Sequence, residues 1–245
     1  MKKTMRFLAM ITILTGFCTF STKAQLFDKI SKEATKILSG GSTGLTQDDA
    51  AKGIKEALIK GVTKGTDVVS KLDGYYKNPE IKIPFPPEAK KAESTLRSIG
   101  LGKQADDAIL SMNRAAEDAA VGAKDIFIDA VKQMSIQDAL AIIKGDTSAA
   151  TNFLKRTTTA KLTEKFTPVI KASLEKVDAT KYWSTAMNAY NKVPFVQKIN
   201  PDLTAFVTQK AMEGLFTMIA KEEGLIRRDP LARTSEILKK VFGGK

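Results

Sequence analysis

The sequence predicts an all-α fold: one multi-helix domain of about eight to nine helices, with a short extended arm near residues 79–86. Three observations predict it. Apolar residues recur at roughly 3.6-residue spacing almost everywhere after residue 25. Alternation with a period of two is confined to one short stretch, Ile81 to Phe85. Cap residues, with Ser, Thr, Asp or Asn in front and Gly behind, punctuate the periodic segments. Hydrophobic content of 43% and charged content of 27% are ordinary for a globular chain. Roughly 220 residues bury a sizeable core without covalent staples.

Residues 1–24 have the three parts of a secretory signal peptide. Lys2, Lys3 and Arg6 form a basic start, Phe7 to Phe20 an apolar run, and Thr22-Lys23-Ala24 a cleavage site before Gln25. The apolar run is about 14 residues, short of the ~20 that cross a bilayer as a helix. Cys18 follows Thr15-Gly16-Phe17, and the bulky Phe17 is wrong for a lipidation site. The expectation is an exported, periplasmic protein that carries no lipid. Four of the twelve excess positive charges lie in this segment, leaving +8 on the mature chain.

Residues 25–44 read as a short amphipathic helix and a Gly-rich linker. Leu26, Ile30, Ile37 and Leu38 oppose Lys29, Lys32 and Lys36, and Gly40 to Gly44 follow as a flexible connector. Residues 45–245 are expected to form the helical domain. Thr46 and Asp49 open its first helix as a capping box. Gly53, Ala57, Gly61 and Gly65 then fall four apart, a face that lets another backbone approach. Lys52, Lys55, Glu56, Lys60 and Lys64 interrupt the segment and exclude a membrane dimer. In the arm, Ile81, Ile83 and Phe85 alternate with Glu80, Lys82 and Pro84, and the prolines confine it to an edge or an unpaired strap.

Helical patterning resumes at Pro87 and stops at Gly100. A longer helix is predicted from about Lys103 to Met134. Ser135 and Asp138 cap the next, which ends at Gly145. Another begins near Thr147 and is expected to kink or divide at Pro168. Tyr182, Trp183, Met187 and Tyr190 mark an aromatic-rich helix. Asn200-Pro201 and Asp229-Pro230 are read as N-cap and N1 pairs that open helices Asp202–Ile226 and Leu231–Phe242.

The predicted mature chain contains neither Cys nor His. Ser-His-Asp and Cys-His pairs, disulfides and thiolate or imidazole metal sites are therefore excluded, and no cofactor is implied. Gly100-Leu101-Gly102-Lys103 lacks the remaining residues of a phosphate loop, since Arg97 and Gln104 stand at the required positions. Ser173 and Lys176 satisfy S-x-x-K, but the accompanying K-T-G is absent. Paired carboxylates occur at Asp48-Asp49, Asp106-Asp107 and Glu222-Glu223. The first two read as helix-start charge, and the third follows an apolar run, Leu215 to Ala220.

One polar cluster stands out. Asn113, Arg114 and Glu117 lie within a turn of an Ala-rich helix. Glu222, Glu223, Arg227 and Arg233 lie around the start of the last helix, with Glu223 and Arg227 in the favourable order for a helical ion pair. If their two helices pack together, Arg114 and Glu117 meet Glu223 and Arg227. Such a group is either a structural salt-bridge network or a site for an anionic head group or carboxylate. Lysines are spread over many helix faces and no DNA-binding motif occurs, so nucleic acid is not an expected partner.

Three segments carry a resemblance: Asp49 to Leu58, Asn113 to Glu117, and Glu213-Gly214-Leu215-Phe216 through Glu222-Glu223 and Asp229-Pro230 to Gly243. Over residues 45–243 the chain resembles the bacterial domain-of-unknown-function 4197 family. The resemblance implies an exported, mostly helical protein, and brings no activity or site residues with it. The expected function is non-enzymatic binding of an envelope component or protein, with weak attraction to anionic membrane surfaces. The alternatives are an enzyme using carboxylates and arginines on a cell-wall or anionic substrate, and a carrier of an apolar ligand held between helices.

Overall fold

The computed structural model describes residues 46–192, 194–195 and 198–228. The expected signal peptide with Cys18, the amphipathic helix and linker of residues 25–44, the Asp229-Pro230 start, helix Leu231–Phe242 and Arg233 lie outside the described residues. Every regular element among the described residues is helical. α1 spans Gln47–Val69, and a 3-10 turn at Pro87–Ala89 leads into α2, Lys90–Ser98. There follow α3 (Gly102–Ala120), α4 (Ala123–Lys132), α5 (Ile136–Lys144), α6 (Ala149–Glu175), α7 (Ala179–Tyr190) and α8 (Leu203–Arg228).

Local chemistry sets most of these boundaries. Thr46 Oγ1 accepts from Asp49 N at 3.1 Å while the Asp49 carboxylate accepts from Thr46 N at 3.1 Å, closing a capping box on α1. Ser135 and Asp138 do the same for α5. Gly100 ends α2 with φ of 85°, a left-handed residue that costs glycine little.

The architecture follows from a row of residues four apart along α6: Ala150, Leu154, Thr158, Leu162, Phe166, Ile170 and Leu174 are all buried. Such a row is a packing ridge. Its one polar member, Thr158, donates to the Leu154 carbonyl at 2.6 Å and so leaves no unmet donor in the core. α6 packs on α3, α4 and α8, and α8 packs along α1 as well. The small-residue face of α1 serves that last contact. A Cβ on Gly65 would lie 3.3 Å from Ile219 Cγ1 and 3.5 Å from Ile219 N, so the two backbones approach closely.

Three boundaries depart from the sequence expectation. The helix predicted from Lys103 to Met134 is two helices, with a turn at Val121-Gly122 between α3 and α4. At that turn a Cβ on Gly122 would lie 3.1 Å from the Lys165 side chain, so the bend lets the buried residues Ala119, Ala120 and Ala123 continue onto α6. Pro168 does not divide α6. It sits on the exposed side, as does Glu164, the residue whose carbonyl Pro168 has no N–H to meet, while Phe166 and Ile170 are buried on the opposite side. The last described helix starts at Leu203 rather than with Pro201 at its first position. Asp202 is its cap, accepting from Ala205 N at 3.1 Å, and Asn200 accepts from Asp202 N at 2.9 Å one step earlier.

The arm is an unpaired strap. Ile81, Ile83 and Phe85 are buried and Glu80, Lys82 and Pro84 exposed, as the alternation predicts. No strand occurs among the described residues. The strap lies where the polar residues of α3 reach it.

Candidate functional site

Asn113 and Glu117 sit one turn apart on α3 and are both buried. The Asn113 side chain does for the strap what a neighbouring strand would do. Its Oδ1 accepts from Ile83 N at 2.9 Å, and its Nδ2 donates to Ile83 O at 2.8 Å and to Ile109 O at 2.7 Å. Glu117 receives the turn that precedes the strap. Its Oε1 accepts from Tyr75 N at 3.0 Å and Tyr76 N at 3.1 Å, and its Oε2 accepts from Arg114 Nη1 at 2.6 Å. Arg114 Nη2 reaches on to Asp73 Oδ1 at 2.7 Å, and Asp73 also pairs with Lys77 at 2.8 Å.

Asp73 holds a left-handed backbone, φ 68°, at the reversal that brings Tyr75 inward. The Tyr75 hydroxyl then donates to the Ala211 carbonyl on α8 at 2.6 Å. Bonds from Lys77 and Arg114 hold the Asp73 carboxyl below its usual range. Burial pushes the Tyr75 phenol up, and the Glu117 charge adds to the rise. Burial would lower the Arg114 guanidinium, but its bonds to Glu117 and Asp73 outweigh this and raise it.

The second group lies near the C-terminal end of α8. Glu223 accepts from Ala150 N at 3.1 Å, from Thr151 N at 2.9 Å, from Thr151 Oγ1 at 2.7 Å and from Arg227 Nε at 2.9 Å. Arg227 Nη2 donates to the Ile142 carbonyl at 2.9 Å. A carboxylate thus faces the positive end of α6 and a guanidinium the negative end of α5, each complementing a helix dipole. Ser148, the N-cap of α6, makes no side-chain cap bond. Glu223 supplies that cap from another helix. Glu222 turns the other way and pairs with Lys64 of α1 at 2.9 Å.

The expected meeting of the two halves does not occur. Glu223 follows Ala211, the acceptor of the Tyr75 hydroxyl, by twelve residues, or about 18 Å along α8 at the usual rise. Arg114 and Glu117 hold Asp73 and the backbone of Tyr75 and Tyr76, whereas Glu223 and Arg227 close the α5–α6 junction. Sequence reasoning missed Asp73, Tyr75, Lys64 and Thr151 as members. Asp73-Gly74 is a turn signature, but it marks the reversal without saying which side chain receives the freed N–H groups.

The remaining motifs also have structural places. Ser173 Oγ donates to Asp118 Oδ2 at 2.8 Å, and Lys176 is the C-cap of α6. Asp48 pairs with Lys52, Asp106 with Arg97 and Asp107 with Lys103. Beside Glu223 and Arg227 lies an apolar gap of about 30 Å³, lined by Ile54, Leu58, Val62, Ile142, Ile219 and Ile226 among others. That volume suits about two waters and is an order of magnitude below an ordinary ligand pocket. A shallow hollow of about 440 Å³ opens over Lys71, Asp73 and Lys77. No group of three or more His, Cys, Asp or Glu residues able to hold a metal gathers among the described residues. No helix among them is long and apolar enough to cross a membrane.

Residues 44–243 match the family described as "Protein of unknown function (DUF4197)". No curated protein and no solved structure matches the chain.

Proposed function

The chain belongs to the DUF4197 family, and we propose that it is an exported, periplasmic, non-enzymatic interaction domain that binds an envelope component. One observation carries the reading: the groups best suited to chemistry are engaged in holding the fold. Glu117 takes three donors and Glu223 four, and the guanidinium groups of Arg114 and Arg227 each bind a carboxylate and a second acceptor. A general acid or base needs a carboxyl oxygen turned to a substrate. The apolar gap beside Glu223 and Arg227 is itself too small to hold an apolar ligand.

Native mass spectrometry of the protein purified from its own envelope tests the reading. A copurifying lipid or subunit supports it, and a bare monomer speaks against it. Export is checked separately: sequencing the N-terminus of that material should find Gln25 first, and an intact Met1 in the cytoplasmic fraction would end the periplasmic part of the proposal.

A further inference from the structure

Between α7 and α8, the described residues 191–192, 194–195 and 198–200 carry no regular structure. One side chain closes the base of this loop. Asn191 Nδ2 donates to Ile199 O at 2.7 Å, and Asn191 Oδ1 accepts from Ile199 N at 2.8 Å. Ile199 is itself buried, and Trp183 Nε1 donates to the next carbonyl, Asn200 O, at 3.2 Å. The loop therefore stands on a fixed footing.

Its tip is built against the ordinary rules of folding. Phe195 is 108% exposed, the highest of the exposed large apolar side chains among the described residues, and its φ of 64° is a left-handed conformation that disfavours a bulky residue. Both features cost stability, and an asparagine at the same position would relieve both. Exposed Pro194 adjoins it, and exposed Lys192 and Lys198 flank it. Residues 179–201 carry Lys181, Lys192 and Lys198 and no Asp or Glu. The ring thus belongs to a stretch of sequence whose formal charges are all positive.

Resting on the envelope-binding reading, we propose that Phe195, with Lys192 and Lys198, seats the protein on an anionic phospholipid bilayer. The aromatic ring enters the boundary between head groups and acyl chains, and the two ammonium groups stay among the phosphates. A fully exposed ring flanked in sequence by cations fits a deformable surface. A protein partner would need a wide complementary face of about 1,000 Å², which a loop tip does not offer.

Vesicle cosedimentation of the purified full chain tests this, using equimolar phosphatidylglycerol and phosphatidylcholine against phosphatidylcholine alone. The protein should bind the mixed vesicles and not the neutral ones. Phe195→Asn should weaken binding about tenfold, and Lys192→Gln with Lys198→Gln about thirtyfold. The melting temperature of Phe195→Asn should equal or exceed that of the parent, which separates lost binding from lost folding. In Phe195→Trp, brominated lipid should quench the added tryptophan more than it quenches Trp183 in the parent. Unchanged binding by Phe195→Asn, equal binding to neutral vesicles, or an unquenched Phe195→Trp overturns the proposal. Vesicle binding absent while a protein subunit copurifies removes the bilayer and leaves the envelope-binding reading standing. Vesicle binding absent with a bare monomer removes both.

Discussion

Glu223 and Arg227 form an ion pair that also engages two helix ends, and this makes the pair hard to dissect by charge alone. Removing the carboxylate leaves Ala150 N, Thr151 N and the guanidinium without their shared acceptor in a buried setting. Breaking one side of such a pair typically costs about 3–5 kcal/mol. Glu223→Ala should therefore lower the unfolding free energy by that order, read as a lower urea midpoint with an unchanged denaturant slope. Glu223→Gln keeps an acceptor for the N-terminus of α6 and should cost less. Gly214 obeys a different limit. A Cβ there would stand 2.6 Å from Tyr75 Cε1, and the ring is pinned through its hydroxyl to Ala211 O. The ring cannot yield without losing that bond, so Gly214→Ala should destabilise by about 1–3 kcal/mol, despite alanine's better helix propensity.

Whole elements show which signals are local. The capping boxes of α1 and α5 span three residues each, so Thr46/Asp49 and Ser135/Asp138 could be read directly from sequence. The turn at Gly122 could not, because it goes with the close approach of α6 at Lys165, a contact 43 residues away in sequence. Pro168 misleads for a related reason: its cost is real, but the buried row through Phe166 and Ile170 outweighs it. Proline is about 3 kcal/mol worse than alanine inside a helix, offset in part by its stiffening of the unfolded chain. Pro168→Ala should accordingly stabilise the protein by about 1–2 kcal/mol in thermal unfolding. The α5 cap also carries a pH signature. Its bond to Ser135 holds Asp138 below its ordinary 3.8. A carboxyl lowered on folding contributes stability above its unfolded value and loses it as pH falls through the folded one. Asp73 and Asp106 act in the same direction, lowered chiefly by their bonds to Lys77 and Arg97. The unfolding midpoint should fall below about pH 4, and Asp138→Asn should flatten that decline.

Among the described residues, periodicity identified the helical segments but not the break at Val121-Gly122, while the polar network depended on contacts that no local pattern encodes. Asn113, Arg114 and Glu117 stand out as polar residues among alanines, yet Asn113 meets Ile83 and Glu117 meets Tyr75 far upstream in the chain. Two separate clamps could be mistaken for one cluster, because sequence gives residue types on a helix face and not distances along α8. The consequence for the fold is specific. The strap has no strand partner, so Asn113 alone satisfies both backbone groups of Ile83. Asn113→Leu would fill similar space with no donor or acceptor, leaving a buried N–H and a buried carbonyl unmet. Each costs about 1–3 kcal/mol. Glu117 and the Tyr75 hydroxyl would still tie the preceding turn to α3 and α8. Release should therefore be partial: amide exchange at Ile83 should accelerate towards that of a locally opening segment, while the buried amides of α6 keep the rate set by global unfolding. Equal acceleration at Ile83 and at Leu162 would instead show that the strap and the helices open as one unit.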